Sequence, residues 1–307
     1  MSAGSPPVRA EALFFHTAAS PPRSDKGGSA MPTRSPVVAN QFYPGSREAL
    51  ESMLDELFRP FAGKRPASAP FIFMLPHAGY IFSGFTAAAT LEGVRLPERL
   101  VILCPNHTGY GRPFGVWPDG KWLTPLGSVD VDADMAARLT EAGLFEADLL
   151  SHEREHSIEV ELPFLQHVTG GKTPLITPVC IGTQNPSALE SAGSILAAAL
   201  REEKSAGILV SSDMNHYEDE NTTKYKDSLA LGKVLAEDPE GLLDVCSKHG
   251  ITMCGAGPMA LALFCLRELR DGKPASEPAE LVMHDTSARA ARDTTHVVGY
   301  AGVHIFA

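Results

Sequence analysis

Two patterns of hydrophobic positions alternate along this chain: short unbroken apolar runs, and longer stretches in which apolar residues recur every three or four positions. Phe71–Leu75 (FIFML), Leu100–Cys104 (LVILC), Thr173–Ile181 (TPLITPVCI) and Gly207–Val210 (GILV) are of the first kind. Runs this short and this apolar predict strands buried on both faces, as in parallel sheets. Pro76 and Pro105 close the first two, because proline cannot donate to a ladder, and each is followed within two residues by a histidine, His77 or His107. The Ala-rich stretch Phe85–Val94 between them reads as a helix. Strand, helix and strand within some thirty residues make a βαβ unit, so the two strands are expected to be parallel. His77 and His107 then stand at neighbouring strand ends on one edge of the sheet, where open α/β sheets bind ligands.

The second pattern predicts the helices. Leu50, Met53, Leu54, Leu57 and Phe58 form one apolar stripe, with Ser46 as N-cap after the Pro44-Gly45 turn. Val131–Ala142, Pro186–Lys204, Lys224–Leu235 and Pro239–Lys248 read as further helices, and Glu155–Leu165 as an amphipathic one. Tyr110–Leu126 is an excursion with a hairpin expected around Asp119-Gly120. A strongly apolar helix runs to about Arg270, with Pro258 in its first turn and Cys254 just before it. Strands at Leu281–Met283 and Val297–Ile305 flank a charged loop and are expected to pair antiparallel. Residues 1–35, rich in Ser, Pro, Ala and Gly, read as a disordered leader. Its apolar patch, Ala12–Phe15, is too short for a signal-peptide core.

Composition narrows the classes. The 307 residues suffice for a large core, and 44% hydrophobic with 21% charged residues is ordinary for a globular chain. A formal charge of −11 argues against nucleic acid or an anionic membrane as partner, since both need a basic face. No apolar run approaches the roughly 20 residues that cross a bilayer. The five cysteines form no CxxC pair, which fits a reducing, cytoplasmic compartment rather than a disulfide framework.

The polar residues at strand ends and helix mouths are His77, His107, Asp213, His216 and Cys254. Imidazole and thiolate suit iron, copper or zinc. A helix N-terminus next to Cys254 favours its thiolate. His156, between Glu155 and Glu159, is a further candidate, the two glutamates either orienting imidazoles or forming a solvated helix turn. Cys104 reads as packing. A lone histidine after a strand is most often a hydrogen-bonded loop residue, and that reading covers His152, His167, His249, His284, His296 and His304. There is no GxSxG, GxxxxGK[ST] or dinucleotide fingerprint, which withdraws support from those enzyme classes.

At these residues the sequence resembles the Memo family, whose microbial members are called AmmeMemoRadiSam system protein B. The resemblance rests on PHAGYIFSG, the strand ending in PNH, EHSIEVELPF, SSDMNHY, and Cys254-Gly255 followed by Pro258. It runs in order from Asn40 to Gly302. It implies one domain over 36–307 with the fold of class III non-haem iron extradiol dioxygenases: α/β, a central mixed and largely parallel sheet with helices on both faces. It also implies a metal site of His77, His107 and Cys254, with Asp213 and His216 in the same pocket. The dioxygenases carry a carboxylate as third ligand, so a cysteine there weakens any inference to ring cleavage. The expected function is an iron- or copper-dependent redox protein, zinc being less favoured, with His216 as general acid/base and Asp213 orienting a ligand. The expected partners are a small molecule or peptide in the pocket and a radical S-adenosylmethionine protein. The rival readings are a non-catalytic module that recognises a peptide or small anion, and a metal buffer.

Overall fold

A computed structural model describes residues 31–64 and 67–307, so the leader through residue 30, with its Ala12–Phe15 patch, lies outside the described residues. Strand β1 (Thr33–Arg34) comes from what the sequence assigns to the leader. Helix α1 (Arg47–Phe58) follows, its first turn held by the Ala49 amide donating to the Ser46 hydroxyl at 3.3 Å. Next are β2 (Ile72–Leu75), α2 (Tyr80–Leu91), β3 (Arg99–Pro105), β4 (Phe114–Val116), β5 (Lys121–Thr124) and β6 (Gly127–Asp130). Then come α3 (Ala133–Glu141), β7 (Glu146–Ala147), the single turn α4 (Leu150–Glu153), α5 (Ser157–Val168), β8 (Leu175–Ile181) and α6 (Pro186–Leu200). The chain closes with β9 (Ala206–Ser211), β10 (His216–Glu218), α7 (Glu220–Leu235), α8 (Pro239–His249), α9 (Ala256–Arg270), β11 (Glu280–Thr286), α10 (Ala288–Ala291) and β12 (Val297–Ile305).

The apolar runs become the middle of a mixed sheet. Its order is β10-β12-β2-β9-β3-β8-β4-β7, with β11 also paired to β12. Strands β2, β9, β3 and β8 are parallel, and the flanking strands β12 and β4 run against them. Within each central strand, successive side chains point to opposite faces. Ile72, Met74, Val101, Leu103, Ile208 and Val210 pack on one face under α3, α6, α7, α8 and α9. Phe73, Leu75, Leu100, Ile102, Cys104 and Leu209 pack on the other, under α1, α2 and α5. Both faces are dry, which is why the runs are unbroken rather than alternating.

Four expectations change. Strands β2 and β3 are parallel but not neighbours, because β9 is inserted between them and pairs with both. The helix after β2 begins at Tyr80, not Phe85, where the Tyr80 amide donates to the Phe42 carbonyl at 2.8 Å and the ring is buried. The hairpin joins β5 to β6 through Pro125-Leu126 instead of turning at Asp119-Gly120. There the Leu126 amide donates to Thr124 Oγ1 at 3.0 Å and closes the turn. Finally, α5 is no amphipathic surface helix: Ser157 through Gln166 are all buried.

Burying α5 requires partners for its carboxyl groups. Glu159, fully buried, is ion-paired with Arg34 of β1, itself 3% exposed. Glu159 also accepts from the Val37 and Val38 amides and from Tyr43 Oη at 2.7 Å. Arg34 lies over the Trp122 ring and donates to the carbonyls of His152 at 3.2 Å and Glu155 at 2.6 Å. Removing one partner of such a pair strands a buried charge, at about 3–5 kcal/mol. Arg34→Met is therefore expected to lower the unfolding free energy by about that amount in urea titration. A loss below about 1 kcal/mol would mean that Glu159 is held adequately by its other donors.

Candidate metal centre

Each candidate side chain arrives on a different element, and all arrive at the carboxyl ends of the parallel strands. His77 follows β2, His107 follows β3, and Asp213 follows β9. His156 sits at the N-cap of α5, and Cys254 immediately precedes Gly255, the N-cap of α9. The ring of His77 lies 5.2 Å from His107 and 5.4 Å from His156, centroid to centroid, and His107 stacks on His156 at 4.9 Å. One nitrogen from each of the three falls within 4.8 Å of the others. Cys254 Sγ is 3.4 Å from His77 Nε2. Metal–imidazole and metal–thiolate bonds of about 2.1 and 2.3 Å, meeting at a tetrahedral angle, put donor atoms about 3.6 Å apart. The grouping that could hold a metal ion among the described residues is thus His77, His107 and His156, and the Cys254–His77 separation is close to that spacing.

Hydrogen bonds fix which nitrogen each ring presents. His107 Nδ1 contacts Glu155 Oε1 at 2.9 Å, while its amide donates to Glu155 Oε2 at 2.7 Å. Glu155 is held in turn by the Ser157 amide and by the Ser157 hydroxyl at 2.6 Å. His77 Nδ1 contacts Ser211 Oγ at 2.8 Å. Both rings therefore have Nδ1 engaged and Nε2 left for the pocket. Asp213 accepts the His77 amide at 2.9 Å, so it positions the backbone that carries the His77 ring. His216 donates from Nδ1 to the Thr252 carbonyl at 3.0 Å, since a carbonyl can only accept, and keeps a basic Nε2.

The charges follow from burial and proximity. Burial, then the imidazoles of His107 and His156, hold the pKa of His77 well below the usual histidine value. Burial lowers His156 to about 4, against the pull of Glu155. Burial also acts to lower His107, but its hydrogen bonds to Cys254 and Glu155 outweigh it and carry the pKa up to about 11. Burial raises Asp213 to about 7, opposed by the His77 amide and the His107 charge. Cys254 departs from expectation: burial pushes its thiol up, and the counteracting His107 bond does not cancel that. The helix terminus favours a thiolate only where water or a cation completes the solvation that burial removes.

Sequence reasoning brought His77, His107, Asp213 and Cys254 together here and left His156 as a lesser candidate. The two glutamates flanking His156 divide the readings offered for them: Glu155 orients His107, whereas Glu159 neither faces an imidazole nor meets water. Ser211 and Glu161, buried behind His77, were missed; a serine ending a strand and a glutamate on a buried helix turn have no distinctive pattern. Cys104 is buried packing. The remaining histidines stay out of the cluster: His152 bonds the Gly115 carbonyl, His284 pairs with Asp227, and His304 bonds the Thr90 carbonyl. A cavity of about 200 Å³ opens beside Cys254, lined by Pro105, Asn106, Ile181, Thr183, Gln184 and Gly257 among others, with no charged side chain. The larger groove, about 1320 Å³, lies around Phe71, Pro97, Ser205 and Ala206, at the amino ends of the same strands.

Known proteins similar to this chain span most of its length. Residues 34–304 match the family of Memo-like proteins. A MEMO1 family protein of Thermotoga maritima is 40% identical over 286 residues, covering 89% of this chain and 99% of that protein. A MEMO1 family protein of Methanopyrus kandleri is 36% identical over 283 residues, covering 88% and 98%. Among solved structures, an uncharacterized protein, JW3007 of Escherichia coli K12, superposes with a TM-score of 0.50 at 12% identity, over 76% of this chain and 98% of that one. At that identity the likeness concerns the fold alone. Among the described residues, no helix is long and apolar enough to cross a membrane.

The buried His152 predicts an acid limb of stability. Its pKa is lowered to about 4 by burial, despite the Gly115 carbonyl, whereas in the unfolded chain it titrates near 6.5. As pH falls below about 6.5 the unfolded chain takes up a proton that the folded chain refuses, so stability drops until about pH 4 and then levels. His152 alone is expected to contribute on the order of 3 kcal/mol to that drop. Urea midpoints from pH 8 to 4 should fall more steeply for the wild type than for His152→Gln; parallel curves would assign the limb to other groups.

Proposed function

This chain belongs to the Memo-like protein family, and on that premise we propose that it is an iron- or copper-dependent redox protein whose metal is held by His77, His107 and Cys254. The observation that carries the reading is the approach of Cys254 Sγ to 3.4 Å from His77 Nε2, with His107 hydrogen-bonded to the same thiol. The proposal includes the sheet, taken to be of the class III extradiol dioxygenase type. Its parallel core, with donors gathered at the carboxyl strand ends, supports that assignment. The free cysteines fit a cytoplasmic setting.

A bound iron or copper ion supplies electron transfer and Lewis acidity at positions that three protein donors leave open. The residues around it bind, orient and move protons. Glu155 and Ser211 hold the two imidazoles so that Nε2 faces inward. Asp213 fixes the His77 backbone, and a carboxyl raised to about 7 is suited to exchanging a proton near neutrality. His216, with Nδ1 committed to Thr252, exchanges its proton at Nε2. His156 stacks on His107 and covers it, which keeps water from that side of the ring. The reacting partner enters from the strand-end pocket, as a small molecule or the tip of a peptide; a radical S-adenosylmethionine protein is the proposed companion.

Protein purified anaerobically is expected to hold close to one iron or copper ion per chain by mass spectrometry of the digested sample. His77→Ala, His107→Ala and Cys254→Ser should each drop occupancy below a tenth, while His156→Ala should retain most of it. Metal far below stoichiometric in the wild type, unaltered by His77→Ala, would overturn the reading in favour of a binding module without metal. Full occupancy with zinc alone would overturn the redox part of the reading.

A further inference from the structure

We propose that Ser211 and Glu161 form a hydrogen-bonded relay that sets the tautomer of His77, placing its proton on Nδ1 and freeing Nε2 for the pocket. The proton placement stands on the hydrogen-bond geometry; its consequence for metal affinity rests on the metal reading above.

Three buried groups lie in line. His77 is 2% exposed, and Ser211 and Glu161 are fully buried. His77 Nδ1 is 2.8 Å from Ser211 Oγ, and Ser211 Oγ is 2.8 Å from Glu161 Oε1. The backbone determines this alignment. Ser211 is the last residue of β9 and stands opposite Leu75 of β2, two residues before His77. Glu161 comes from α5, which packs directly on β9. A neutral imidazole carries one proton, and a hydroxyl facing it can donate or accept, so Ser211 alone does not choose the tautomer. Its other neighbours choose. The Ser211 hydrogen has two oxygens to go to, Glu161 Oε1 at 2.8 Å and the Ser157 carbonyl at 3.3 Å. A carbonyl is an acceptor only, and a carboxyl offers at least one acceptor oxygen, so the hydroxyl proton has a place away from His77 in either state of Glu161. Ser211 Oγ is thereby left to accept from Nδ1–H.

Glu161 has no evident structural reason to be acidic. Its second oxygen, Oε2, is buried with no hydrogen-bond partner, a costly arrangement that an apolar side chain of similar size would avoid. Burial pushes its pKa well above that of an ordinary carboxyl, which spares the interior an unpaired charge. The group retained is thus a hydrogen-bonding terminus and not a countercharge. His107 has the direct version of the same device, with the Glu155 carboxylate on Nδ1 at 2.9 Å. The two rings are oriented by different means: a carboxylate bonds His107 directly, with the Ser157 hydroxyl 3.3 Å away beside it, whereas the carboxyl behind His77 acts through the Ser211 hydroxyl.

Nitrogen-15 NMR of metal-free protein labelled at histidine reads the tautomer directly. Wild type is expected to show His77 with Nδ1 protonated, and Ser211→Ala to shift the population toward Nε2–H; Ser211→Thr, which keeps a hydroxyl, should restore the wild-type pattern. Competition with a chelator for Fe(II) under anaerobic conditions should show binding about 10–100-fold weaker in Ser211→Ala and in Glu161→Met, with the metal-free melting temperature of Ser211→Ala within a few degrees of wild type. An Nε2–H tautomer in the wild type, or unchanged tautomer and affinity in Ser211→Ala, would overturn the proposal. Wild type that binds no metal while showing the Nδ1–H tautomer, lost in Ser211→Ala, would instead sink the metal reading and leave the relay standing.

Discussion

Three buried carboxyl groups on one short stretch, Glu155, Glu159 and Glu161, constrain how this molecule can be assembled. A helix start and the residue leading into it can carry them into the interior only where each finds its own donor. Glu159 finds Arg34 and the amides of Val37 and Val38, and in doing so draws the first strand and the following loop across the molecule. Glu155 finds His107, and Glu161 finds Ser211. Because the three lie on one rigid corner, satisfying Glu159 places the other two. The N-terminal strand, remote in sequence from every candidate ligand, is in this way part of what holds the ligands still.

The site that results is electrostatically divided. Burial holds the pKa values of His77 and His156 down, whereas the hydrogen bonds of His107 to Cys254 and Glu155 carry its pKa up. His107 and Cys254 are hydrogen-bonded to each other, so any cation held between them would have to displace their protons. The neutral cavity beside Cys254 lies at the same end of the sheet. The larger groove at the opposite end meets none of these groups, so size alone would have pointed to the wrong place.

Much of the framework was legible before any coordinates. Buried parallel strands announce themselves because both faces are dry, so FIFML and LVILC needed no context to be read. Ser46 and Pro258 marked helix starts by the local hydrogen-bonding logic of caps. The two histidines after Pro76 and Pro105 could be placed at one edge of the sheet because parallel strands end on the same side. Adjacency could not be read: a crossover connection specifies direction, while the insertion of β9 between β2 and β3 depends on which strand best fills the gap. The amphipathic reading of EHSIEVELPF failed for a related reason, since glutamate looks solvated until an arginine more than a hundred residues away is seen to meet it.

The chain by itself determined the central parallel strands and the residue types at their ends, because backbone propensity, hydrophobic pattern and proline placement act over a few residues. The tertiary structure decided which of those residues meet, that His156 joins the cluster, and that Glu155 and Ser211 orient the rings. It also decided that the Cys254 thiol is raised by burial against the pull of its helix. Those outcomes depend on distances between groups far apart in sequence and on the removal of water around them, and neither quantity is written in local order.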